Sequence, residues 1–506
     1  MLRRLNSDAA RSTIGVPTLA VPPPGRMRLK ELLPLLEPVF VHGDVERSFA
    51  RVSRDSRAVG PETLFVAIRG GTFDGHDTVP TTRAAIVVVE RPVVAPEGVT
   101  VVQVADARRA LGWACAAVNG FPSRALRVVG VTGTKGKTTT TLLIDGALAH
   151  AGRVAGRIGT IGSAVGGVPI KSDLTTPDAP ELQALLATML ERGATDVAME
   201  VSSIGLVQQR VAGIGFHFAL FTNLGRDHLD FHGTMDAYAA AKATLFRDLL
   251  RDPGGMPRAA LNVDDPAHVG MCAPPDSWTY GFAEGASLRI VDFATSAGGM
   301  RFALRGAAEV DLRSPLVGRH NAYNLAAAAA ACLACGLTPE QTSEGLASVS
   351  GVPGRLEAVP NDRGVLVLVD YAHTPESLEA ALEAVREVAK GRVYCVFGCG
   401  GDRDPGKRPA MGAVVARAAD VVVVTSDNPR TEDPQLILDA IVAGMPRAPA
   451  RVDLDRRAAI TWAVSEAKPG DVVLIAGKGH ETYQEIAGRK TPFDDRLVAR
   501  EALEAR

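Results

Sequence analysis

The chain has 506 residues, of which 46% are hydrophobic and 22% charged, and its formal net charge is −2. This length exceeds what one hydrophobic core serves, so we expect a globular protein of about two to four domains. The net charge is close to zero, whereas a nucleic-acid-binding protein usually carries an excess of basic residues. The sequence contains no run of about 18 apolar residues, so no membrane span is predicted. Six scattered cysteines, and no apolar stretch after Met1-Leu-Arg-Arg, indicate a reducing compartment, so the cytoplasm is the expected location.

The amino-terminal part is predicted to hold a small α/β domain. Residues 1–26 include a run of prolines and are expected to form a flexible extension, with Met27 as an alternative start. Residues 27–121 alternate strand-like runs with polar, glycine-rich turns, as in the stretch Leu64–His76. The Pro122-Ser123 step is the expected boundary with the next domain.

A glycine-rich loop, Gly130-Val-Thr-Gly-Thr-Lys-Gly-Lys-Thr-Thr-Thr-Thr141, stands between an apolar run and a helical pattern. The run Leu126–Val129 predicts a strand, and Leu142–Leu148 has helical spacing. Glycines allow backbone N–H groups to turn toward one point, and the helix adds its positive amino-terminal end. Lys137 can reach the outer phosphates of a nucleotide, and the Thr138 hydroxyl can bind Mg²⁺. The loop therefore predicts nucleoside triphosphate binding, against the alternative of an ordinary strand-to-helix turn.

A second strand is predicted to end in a carboxylate. The run Asp196–Val201 is mostly apolar and predicts a buried strand. An acid at the end of a strand beside the glycine loop can hold the Mg²⁺ shell, which makes Glu200 a candidate ligand. The alternative is a strand-end carboxylate that merely faces solvent.

Two further polar features follow a predicted strand at Phe216–Phe221. Residues 222–232 bring aspartates and histidines together in a short loop, which suggests metal or phosphate chemistry, although single histidines are more often structural. These residues are Asp227, His228, Asp230 and His232. The helix predicted over Met235–Leu250 carries Lys242 on a face of small residues, where a lysine is usually a solvated surface charge.

The last third of the chain is predicted to be a doubly wound α/β domain, because apolar runs typical of strands buried on both faces alternate with helical patterns. The predicted strands are Val365–Val369, Val393–Phe397, Val421–Thr425 and Val472–Ala476. The predicted helices are Pro375–Ala389, Arg408–Ala419, Pro434–Ala443 and Arg456–Ala467. Ligands bind at the carboxyl ends of such strands. The polar loops expected at that edge are Asp370–His373, Gly398–Asp404, Asp427–Arg430 and Gly477–Glu481.

These motifs together resemble the Mur ligases of peptidoglycan synthesis, over the chain from about Arg54 to Arg500. The motifs are Gly133–Thr138, Met199–Ser203, Thr222–His228, Asp370–His373, Gly400–Asp404, Asp427–Arg430 and Gly477–Glu481. The first three recur in related ligases such as folylpolyglutamate synthetase, whereas the last three are more particular. The resemblance implies an α/β protein of three domains. These are a UDP-binding domain at 27–121, a P-loop ATP-binding domain with a parallel sheet at 122–350, and a Rossmann-like domain for the incoming amino acid at 351–506.

The ligases that the chain most resembles join a diamino acid to UDP-N-acetylmuramoyl-L-alanyl-D-glutamate. This resemblance implies that ATP phosphorylates the D-glutamyl γ-carboxylate, that an amine attacks the acyl phosphate, and that ADP and phosphate are released. Such chemistry requires charge neutralisation and alignment. The resemblance assigns the catalytic work to Lys137, Glu200, His228 and a Lys242 carbamylated by CO₂. It also implies two Mg²⁺ ions, held by Thr138, Glu200, His228 and the modified Lys242.

The resemblance assigns residues to each substrate as well. ATP is expected at Gly133, Thr134, Lys135, Gly136, Lys137, Thr138, Thr139, Asn321, Arg355 and Asp370. The UDP-muramoyl dipeptide is expected at Arg54, Ser56, Gly71, Thr72, Phe73, Thr175, Thr176, Ser202, Gln208 and Arg210. The incoming amino acid is expected at Arg403, Asp427, Asn428, Pro429, Arg430, Gly477 and Glu481.

The identity of the amino acid can be argued from the charge at its far end. Meso-diaminopimelate carries a second carboxylate there, whereas lysine has none. A guanidinium binds a carboxylate through two parallel hydrogen bonds, and leaving it buried without that partner costs about 3–5 kcal/mol. Arg430 can supply this fork, Arg403 a second positive charge, and Glu481 can accept the distal ammonium. We therefore expect meso-2,6-diaminopimelate rather than lysine.

Several alternatives stay open at this point. The chain could add lysine to the same nucleotide, or glutamate to folate, although a folate ligase does not explain Asp427–Arg430. It could also be a P-loop protein that hydrolyses nucleotide as a switch, which leaves the polar loops of the third domain unused. Lys242 could be an ordinary surface lysine. No nucleic acid or membrane partner is expected, and the enzyme is expected to act as a cytoplasmic monomer in cell wall synthesis, and so in cell shape and division.

Overall fold

The computed structural model describes residues 25–250 and 258–505, and the chain divides into two compact units. The first unit comprises Met1–Arg289 and Ala326–Gly345, and the second comprises Ile290–Leu325 and Leu346–Arg506. The extension expected at residues 1–26 lies almost wholly outside the described residues, and Met27 already begins the first strand. Within the described ranges, no helix combines the length and the apolar character needed to cross a membrane.

Residues 27–121 form a sheet of their own, as expected for a small α/β domain. The strands are β1 (Met27–Arg28), β2 (Phe40–His42), β3 (Ser48–Phe49), β4 (Arg51–Ser53), β5 (Thr63–Val66), β6 (Ile86–Val89) and β7 (Thr100–Gln103). The larger sheet has the order β2-β7-β6-β5-β4 and is parallel except at β2, while β1 pairs with β3. The α-helices are α1 (Leu29–Leu36) and α2 (Ala107–Val118), and the 3-10 helices are Ser56–Ala58, Gly75–Thr81 and Pro122–Arg124. Leu64 and Phe65 face separate apolar cores, so β5 is buried on both faces.

The rest of the first unit is built on a mostly parallel sheet. Its strands are β8 (Arg127–Thr132), β9 (Ala155–Ile158), β10 (Ser163–Val165), β11 (Val168–Ile170), β12 (Asp196–Glu200), β13 (Phe218–Phe221), β14 (Ala259–Asn262) and β15 (Trp278–Gly281), followed by β16 (Leu288–Ser296). The order is β11-β10-β9-β12-β8-β13-β14-β15, and Leu288 at the start of β16 pairs with Tyr280. The helices are α3 (Lys137–His150), α4 (Ala179–Glu191), α5 (Ser203–Val207), α6 (Leu229–His232) and α7 (Met235–Asp248), with a 3-10 helix at Pro266–Met271.

The register of this sheet brings three strand ends to one edge. Glu200 of β12 pairs with Val131 of β8, and Phe221 of β13 pairs with Thr132. Because these strands are parallel, the segments that follow them leave the sheet on the same side. The glycine loop after β8 therefore has Glu200 on one side and the segment after Phe221 on the other.

The second unit begins within β16, which is followed by β17 (Gly299–Gly306) and β18 (Val310–Ser314). These two strands pair in an antiparallel manner. The next elements along the chain are the helices α8 (Arg319–Ala334) and α9 (Pro339–Ala347).

The carboxyl-terminal part of the second unit has the predicted doubly wound architecture. Its strands are β19 (Glu357–Val359), β20 (Leu366–Asp370), β21 (Val393–Phe397), β22 (Val421–Thr425), β23 (Arg451–Asp453) and β24 (Val472–Ala476). The order is β19-β20-β24-β21-β22-β23, and only β19 is antiparallel to its neighbour. The helices are α10 (Pro375–Val388), α11 (Lys407–Ala418), α12 (Pro434–Ala443), α13 (Arg456–Glu466) and α14 (Asp495–Glu504), and β25 (Tyr483–Ile486) forms a hairpin with β26 (Arg489–Pro492).

Helices cover both faces of this sheet, which explains why its strands are apolar throughout. Side chains of α10, α11 and α12 join one core, and those of α13 and α14 join the other. Helix α10 begins with a capping box, in which the Thr374 hydroxyl accepts from the N–H of Ser377, and Pro375 takes the first helical position. The polar loops that follow β20, β21, β22 and β24 consequently lie at one edge of the sheet, as predicted.

Candidate active site

The glycine loop connects β8 to α3. Gly133 has a φ of 149° and Gly136, which precedes α3, has a φ of 88°, and both values favour glycine. A Cβ at Gly133 would overlap the Thr222 hydroxyl and lie 3.1 Å from the backbone nitrogen of Asn223. Because the loop passes so close to the next strand end, only glycine fits there. The predicted order of strand, glycine loop and helix is confirmed, and it has the form of an anion-binding loop.

The segment after β13 holds the glycine loop in place. Thr134 N donates to Asn223 O at 2.9 Å, and Lys135 N donates to Asn223 Oδ1 at 2.9 Å. Asn223 Nδ2 donates to Lys135 O at 3.0 Å, and the Thr222 hydroxyl donates to the same oxygen at 2.7 Å. Gly225 N donates to Thr134 Oγ1 at 2.9 Å. The sequence marked this segment as a motif, but its role in fixing the loop became visible only in the structure.

Two lysine side chains converge on the carbonyl oxygen of Gly133. Lys137 Nζ donates to it at 2.7 Å and to Thr134 O at 2.9 Å, and Lys242 Nζ donates to Gly133 O at 2.9 Å. Lys242 is only 1% exposed, and its amine lies 4.3 Å from the centre of the Tyr238 ring. Burial, with the neighbouring charge of Lys137, holds the pKa of Lys242 well below its usual value. The alternative of an ordinary surface lysine is therefore wrong.

Glu200 is buried at the end of β12. It is 1% exposed, so the alternative of a solvent-facing carboxylate is wrong. Its Oε1 accepts from Thr160 N at 2.8 Å, and its Oε2 accepts from the Thr160 hydroxyl at 3.0 Å. Thr160, which the sequence did not single out, thus fixes the orientation of a carboxylate that lies beside the start of the glycine loop.

The oxygen donors at this edge fit a magnesium ion that is bound largely by nucleotide phosphates. Mg²⁺ prefers oxygen ligands and retains several waters, so a protein supplies only one or two groups. Thr138, in the first turn of α3, offers a hydroxyl, and Glu200 offers a carboxylate. Within residues 25–250 and 258–505, no group of three or more His, Cys, Asp or Glu residues is placed to hold a metal ion by itself. A metal ion here would depend on the nucleotide for much of its coordination.

The histidines of the loop after β13 group around Tyr238. The ring centres of His228 and His232 lie 6.3 and 5.0 Å from that of Tyr238. The His228 side chain is 46% exposed, whereas His232 contacts the Ser203 hydroxyl at 2.9 Å and burial lowers its pKa. Tyr238 also contacts the Thr134 hydroxyl at 3.1 Å, and burial raises its pKa to about 12. This tyrosine, which the sequence did not reveal, connects the histidines to the glycine loop.

The residues expected to meet the dipeptide form one hydrogen-bonded group. The Thr176 hydroxyl donates to Glu200 O at 2.9 Å and accepts from Ser202 N at 3.0 Å. Arg210 donates to Thr176 O at 2.9 Å and to Gln208 Oε1 at 2.8 Å. The Thr175 hydroxyl contacts that of Thr160, 3.0 Å away. The structure therefore brings together Thr175, Thr176, Ser202, Gln208 and Arg210.

Asp178 joins two arginines that come from the first and second predicted domains. Arg54 forms an ion pair with Asp178, and Arg210 Nε lies 3.0 Å from the other carboxylate oxygen. Asp178 was not identified from the sequence, because its partners are distant along the chain. The remaining residues expected to bind UDP lie nearer the surface. Ser56 begins the 3-10 helix Ser56–Ala58, and Phe73 is 58% exposed in the turn Gly71–Phe73.

Asp370, Arg355 and Asn321 of the second unit are expected to contact ATP. Asp370 accepts from Ala372 N at 2.8 Å and from Leu356 N at 2.7 Å. Burial raises the pKa of Asp370, and the charge of Arg355 opposes that rise. Asn321 is 3% exposed at the start of α8. Asp370 is therefore held by two backbone donors, and the role of all three residues toward ATP stays a prediction.

The loops after β22 and β24 meet at the carboxyl edge of the second unit's sheet. Asn428 Nδ2 donates to Glu481 Oε2 at 2.8 Å, and Asn428 Oδ1 accepts from Lys478 Nζ at 2.9 Å. Gly477 has a φ of 118°, and a Cβ there would overlap the Asp427 carboxylate. Four residues expected to bind the amino acid thus form one group, as parallel strand ends require.

Arg430 is held in a left-handed conformation with a φ of 55°. Its N donates to Glu485 O at 3.0 Å, and its O accepts from Gly488 N at 3.1 Å, so the hairpin β25–β26 fixes the backbone. The guanidinium Nη1 donates to Gly401 O at 2.5 Å, and the residue is half-buried. Arg403 is exposed, and Pro429 is buried beside Arg430. Arg430, unlike Arg403, therefore belongs to a constrained site.

A buried ion pair supports the same edge. Arg456 donates to the two carboxylate oxygens of Asp495 at 2.8 and 2.7 Å, and both side chains are fully buried. Arg456 also donates to Ser426 O at 3.3 Å and to Ala476 O at 3.0 Å. Because these carbonyls immediately precede Asp427 and Gly477, the guanidinium ties together the starting points of both loops. An arginine at the start of a helix gave no signal of this role in the sequence.

Two family models match the chain. One, described as Mur ligase middle domain, matches residues 131–332, and one described as Mur ligase, glutamate ligase domain matches residues 354–479. The chain is 45% identical over 493 residues to a Geobacillus kaustophilus (strain HTA426) protein named UDP-N-acetylmuramoyl-L-alanyl-D-glutamate–2,6-diaminopimelate ligase. That alignment covers 95% of this chain and 100% of the relative.

Solved structures share the fold. The structure of a ligase of the same name matches with a TM-score of 0.71 at 33% identity, covering 95% of this chain and 99% of the other. The MurF ligase of Thermotoga maritima, solved in complex with ADP, matches with a TM-score of 0.58 and covers 90% of this chain and 98% of the other. Its identity is 20%, so this likeness concerns the fold alone. The predicted three-domain α/β architecture is confirmed, while the boundaries at residues 121 and 350 stay predictions.

Proposed function

Because the chain belongs to the Mur ligase family, we propose that it uses ATP to join meso-2,6-diaminopimelate to the D-glutamyl γ-carboxylate of UDP-N-acetylmuramoyl-L-alanyl-D-glutamate. The observation that carries the proposal is the edge formed by Asp427–Arg430 and Gly477–Glu481. There a half-buried guanidinium and a carboxylate are both held in place, Arg430 by a hairpin and Glu481 by Asn428. The guanidinium of Arg430 can bind a carboxylate, and the carboxylate of Glu481 can accept a hydrogen bond from an ammonium. These two groups match the carboxylate and the ammonium at the far end of diaminopimelate.

The reaction requires activation of the acceptor carboxylate, since its oxygen is a poor leaving group and its charge repels an attacking amine. The γ-phosphoryl group would move from ATP to the γ-carboxylate and form an acyl phosphate. The amine nitrogen would then attack the carbonyl carbon, the bond to the phosphate oxygen would break, and the amine would lose a proton. Lys137, whose amine now donates to Gly133 O, would turn to the outer phosphates and balance their charge.

We assign the two expected Mg²⁺ ions to Thr138, Glu200, His228 and a carbamylated Lys242. When bound, Mg²⁺ would neutralise the charge that gathers on the phosphoryl oxygens. Lys242 as it stands offers only nitrogen, and addition of CO₂ would supply carboxylate-like oxygens that suit Mg²⁺. Its burial supports this assignment, because a lowered pKa favours the neutral amine, and only the neutral amine can add to CO₂.

The UDP-muramoyl dipeptide is assigned to the first unit. Arg54, Ser56 and the turn Gly71–Phe73 would hold the uridine diphosphate, and Arg210 with its hydrogen-bonded neighbours would hold the dipeptide. Asp178 already orders both arginines, so their side chains lose little freedom when an anion binds. We further propose that the enzyme works as a cytoplasmic monomer, which light scattering and cell fractionation can test. The six free cysteines fit a reducing compartment.

An assay of ADP release tests the proposed function. Release should require the UDP-muramoyl dipeptide and the diamino acid together, and meso-diaminopimelate should outcompete lysine. Release that needs neither substrate would indicate a nucleotide switch instead. A requirement for folate and glutamate would indicate the related folate ligases, and a preference for lysine would overturn the assignment of the amino acid.

A further inference from the structure

Lys478 is a fully buried cation in the loop after β24. Its Nζ donates to Asn428 Oδ1 at 2.9 Å and to Glu481 Oε2 at 3.3 Å, and it lies 5.4 Å from the centre of the Tyr483 ring. A buried ammonium is costly unless it is paired and hydrogen-bonded. Both hydrogen-bond partners of Lys478 are residues proposed to bind the amino acid. The buried charge of Lys478 is therefore stabilised by hydrogen bonds to Asn428 and Glu481, two residues of the proposed amino-acid site.

The two carboxylate oxygens of Glu481 have different surroundings. Oε2 accepts from both Asn428 Nδ2 and Lys478 Nζ, at 2.8 and 3.3 Å. Across residues 25–250 and 258–505, the structure shows no hydrogen bond to Oε1, and the side chain is 20% exposed. One oxygen is thus fixed by two donors, and the other is available to accept a hydrogen bond from a ligand.

Lys478 and the backbone N–H of Glu485 together determine which way the Asn428 amide faces. Lys478 Nζ and Glu485 N are both donors, and they lie 2.9 and 3.0 Å from Asn428 Oδ1. The opposite orientation of the amide would place its NH₂ group against two donors and its oxygen against a carboxylate. The Asn428 nitrogen is therefore directed at Glu481, and Lys478 contributes one hydrogen bond to the placement of each of these two side chains.

The charges around Lys478 explain why a cation is needed there. Burial lowers the pKa of Lys478, and the carboxylates of Asp427 and Glu481 oppose that shift. Asp495 is already paired with Arg456. Arg456 also interacts electrostatically with Asp427 and Glu481, but its two hydrogen bonds to a carboxylate go to Asp495. Removal of Lys478 would leave Arg456 as the nearby buried cation, and it would take away one of the two donors that hold Glu481 Oε2.

We propose that Lys478 is a positioning residue for recognition of the diamino acid: it holds Glu481 with Oε1 free for the distal ammonium and holds Asn428 beside it, without contacting the substrate. This inference rests on the proposed function. It requires that loss of Lys478 weakens the affinity for the amino acid and leaves the affinities for ATP and the UDP-muramoyl dipeptide in place.

The test compares Lys478→Met with Lys490→Met. Lys490 is an exposed lysine whose amine lies 4.4 Å from the centre of the same Tyr483 ring, so it controls for the loss of a nearby cation. In Lys478→Met the KM for meso-diaminopimelate should rise about 10–100-fold, with the other two KM values within about twofold of the wild type. Lys490→Met should behave as the wild type.

Chemical rescue separates positioning from a general structural defect. Propylammonium should restore part of the affinity for diaminopimelate in Lys478→Ala, whereas 1-propanol, of similar size but neutral, should not. An unchanged KM for diaminopimelate in Lys478→Met overturns the proposal, and so does an equal loss of affinity for all three substrates. Rescue by 1-propanol as well as by the amine would also overturn it.

Two further outcomes are distinguishable. If Lys478→Met does not fold, Lys478→Gln keeps a hydrogen-bond donor without the charge and is expected to show the same rise in KM. Failure of both variants to fold overturns a role limited to positioning. The proposed function fails if the wild type releases ADP without a diamino acid. The inference about Lys478 fails if the wild type requires the diamino acid and the Lys478 variants have the same KM for meso-diaminopimelate as the wild type.

Discussion

The glycine loop of the first unit and the amino-acid edge of the second each contain a buried lysine, Lys242 and Lys478, but these lysines have different partners. At the glycine loop, the amines of Lys137 and Lys242 donate to one backbone carbonyl, Gly133 O. At the amino-acid edge, Lys478 donates to a carboxylate and to an amide oxygen, and Arg456 makes two bonds to a carboxylate. A carbonyl carries no full charge to balance a cation, whereas a carboxylate does.

This difference matches two kinds of ligand. A nucleoside triphosphate brings several negative charges, so its site gains from basic groups placed near the phosphates. A diamino acid brings both signs of charge, so its site has to present a cation and an anion, each in a fixed place. The partners of Lys242 and Lys478 therefore differ with the sign of the ligand charge that each site is expected to accept.

Replacement of Lys137 should have the largest effect on the glycine-loop side. Lys137→Met keeps the length of the side chain but removes its charge, so kcat should fall about 10³-fold as the phosphoryl group loses electrostatic stabilisation. Steady-state ADP release measures this. Lys30→Met, which removes an exposed lysine paired with Glu46, is the control and should keep the wild-type rate. More than a tenth of the wild-type activity in Lys137→Met would contradict the assignment of Lys137 to the outer phosphates.

Replacement of Lys242 should have the next largest effect. Lys242→Ala should lower kcat about 10²-fold, because the carboxylate-like oxygens of the carbamate are lost. Added formate or acetate should restore part of the activity, whereas chloride, which is not a carboxylate, should not. Wild-type protein in ¹³C-bicarbonate should show a carbamate carbon signal that is missing from the variant. Full activity of Lys242→Ala without added anions would refute the role of this lysine near the metal.

Arg430 and Arg403 provide a matched pair at the amino-acid edge. Arg430→Gln should lower kcat/KM for meso-diaminopimelate about 10²-fold, because the distal carboxylate of the substrate loses its constrained guanidinium partner. Arg403→Gln should lower it only about two- to threefold, since that side chain is exposed. Competition between meso-diaminopimelate and lysine measures the selectivity, which only Arg430→Gln should reduce strongly. Equal effects of the two substitutions would contradict the assignment of Arg430 as the specific fork.

The smallest expected effect concerns stability and pH. Because the folded chain lowers the pKa of Lys242, the unfolded chain binds more protons at pH values between the folded pKa and the ordinary value of 10.5. The free energy of unfolding should therefore rise with pH in that window, by at most about 1.4 kcal/mol per pH unit. Lys242→Met should remove this contribution and be the more stable chain at neutral pH. Urea denaturation in CO₂-free buffer at several pH values checks this, and identical pH slopes would contradict the burial argument.

Much of the second unit was predictable because its strands are buried on both faces. The strands β21, β22 and β24 have the predicted bounds, since each is a continuous apolar run between turns. The helices agree within about one residue at each end, and the carboxyl-edge loops followed from the rule for parallel sheets. The hairpin β25–β26 was not predicted, because its strands are short and polar. That hairpin is what places Arg430 in its left-handed conformation.

The strand, glycine loop and helix of the first unit and the alternating elements of the last third were predictable from the sequence, because they depend on residues close together in the chain. Which charged side chains are buried became evident only in the folded chain. Lys242 has the pattern of a solvated surface lysine, Lys478 lies in a glycine-rich turn, and Arg456 stands at the start of a helix, yet all three are enclosed. The physical reason is that the burial of a charge depends on segments that pack around it from distant parts of the chain, and on whether those segments bring a hydrogen-bond partner.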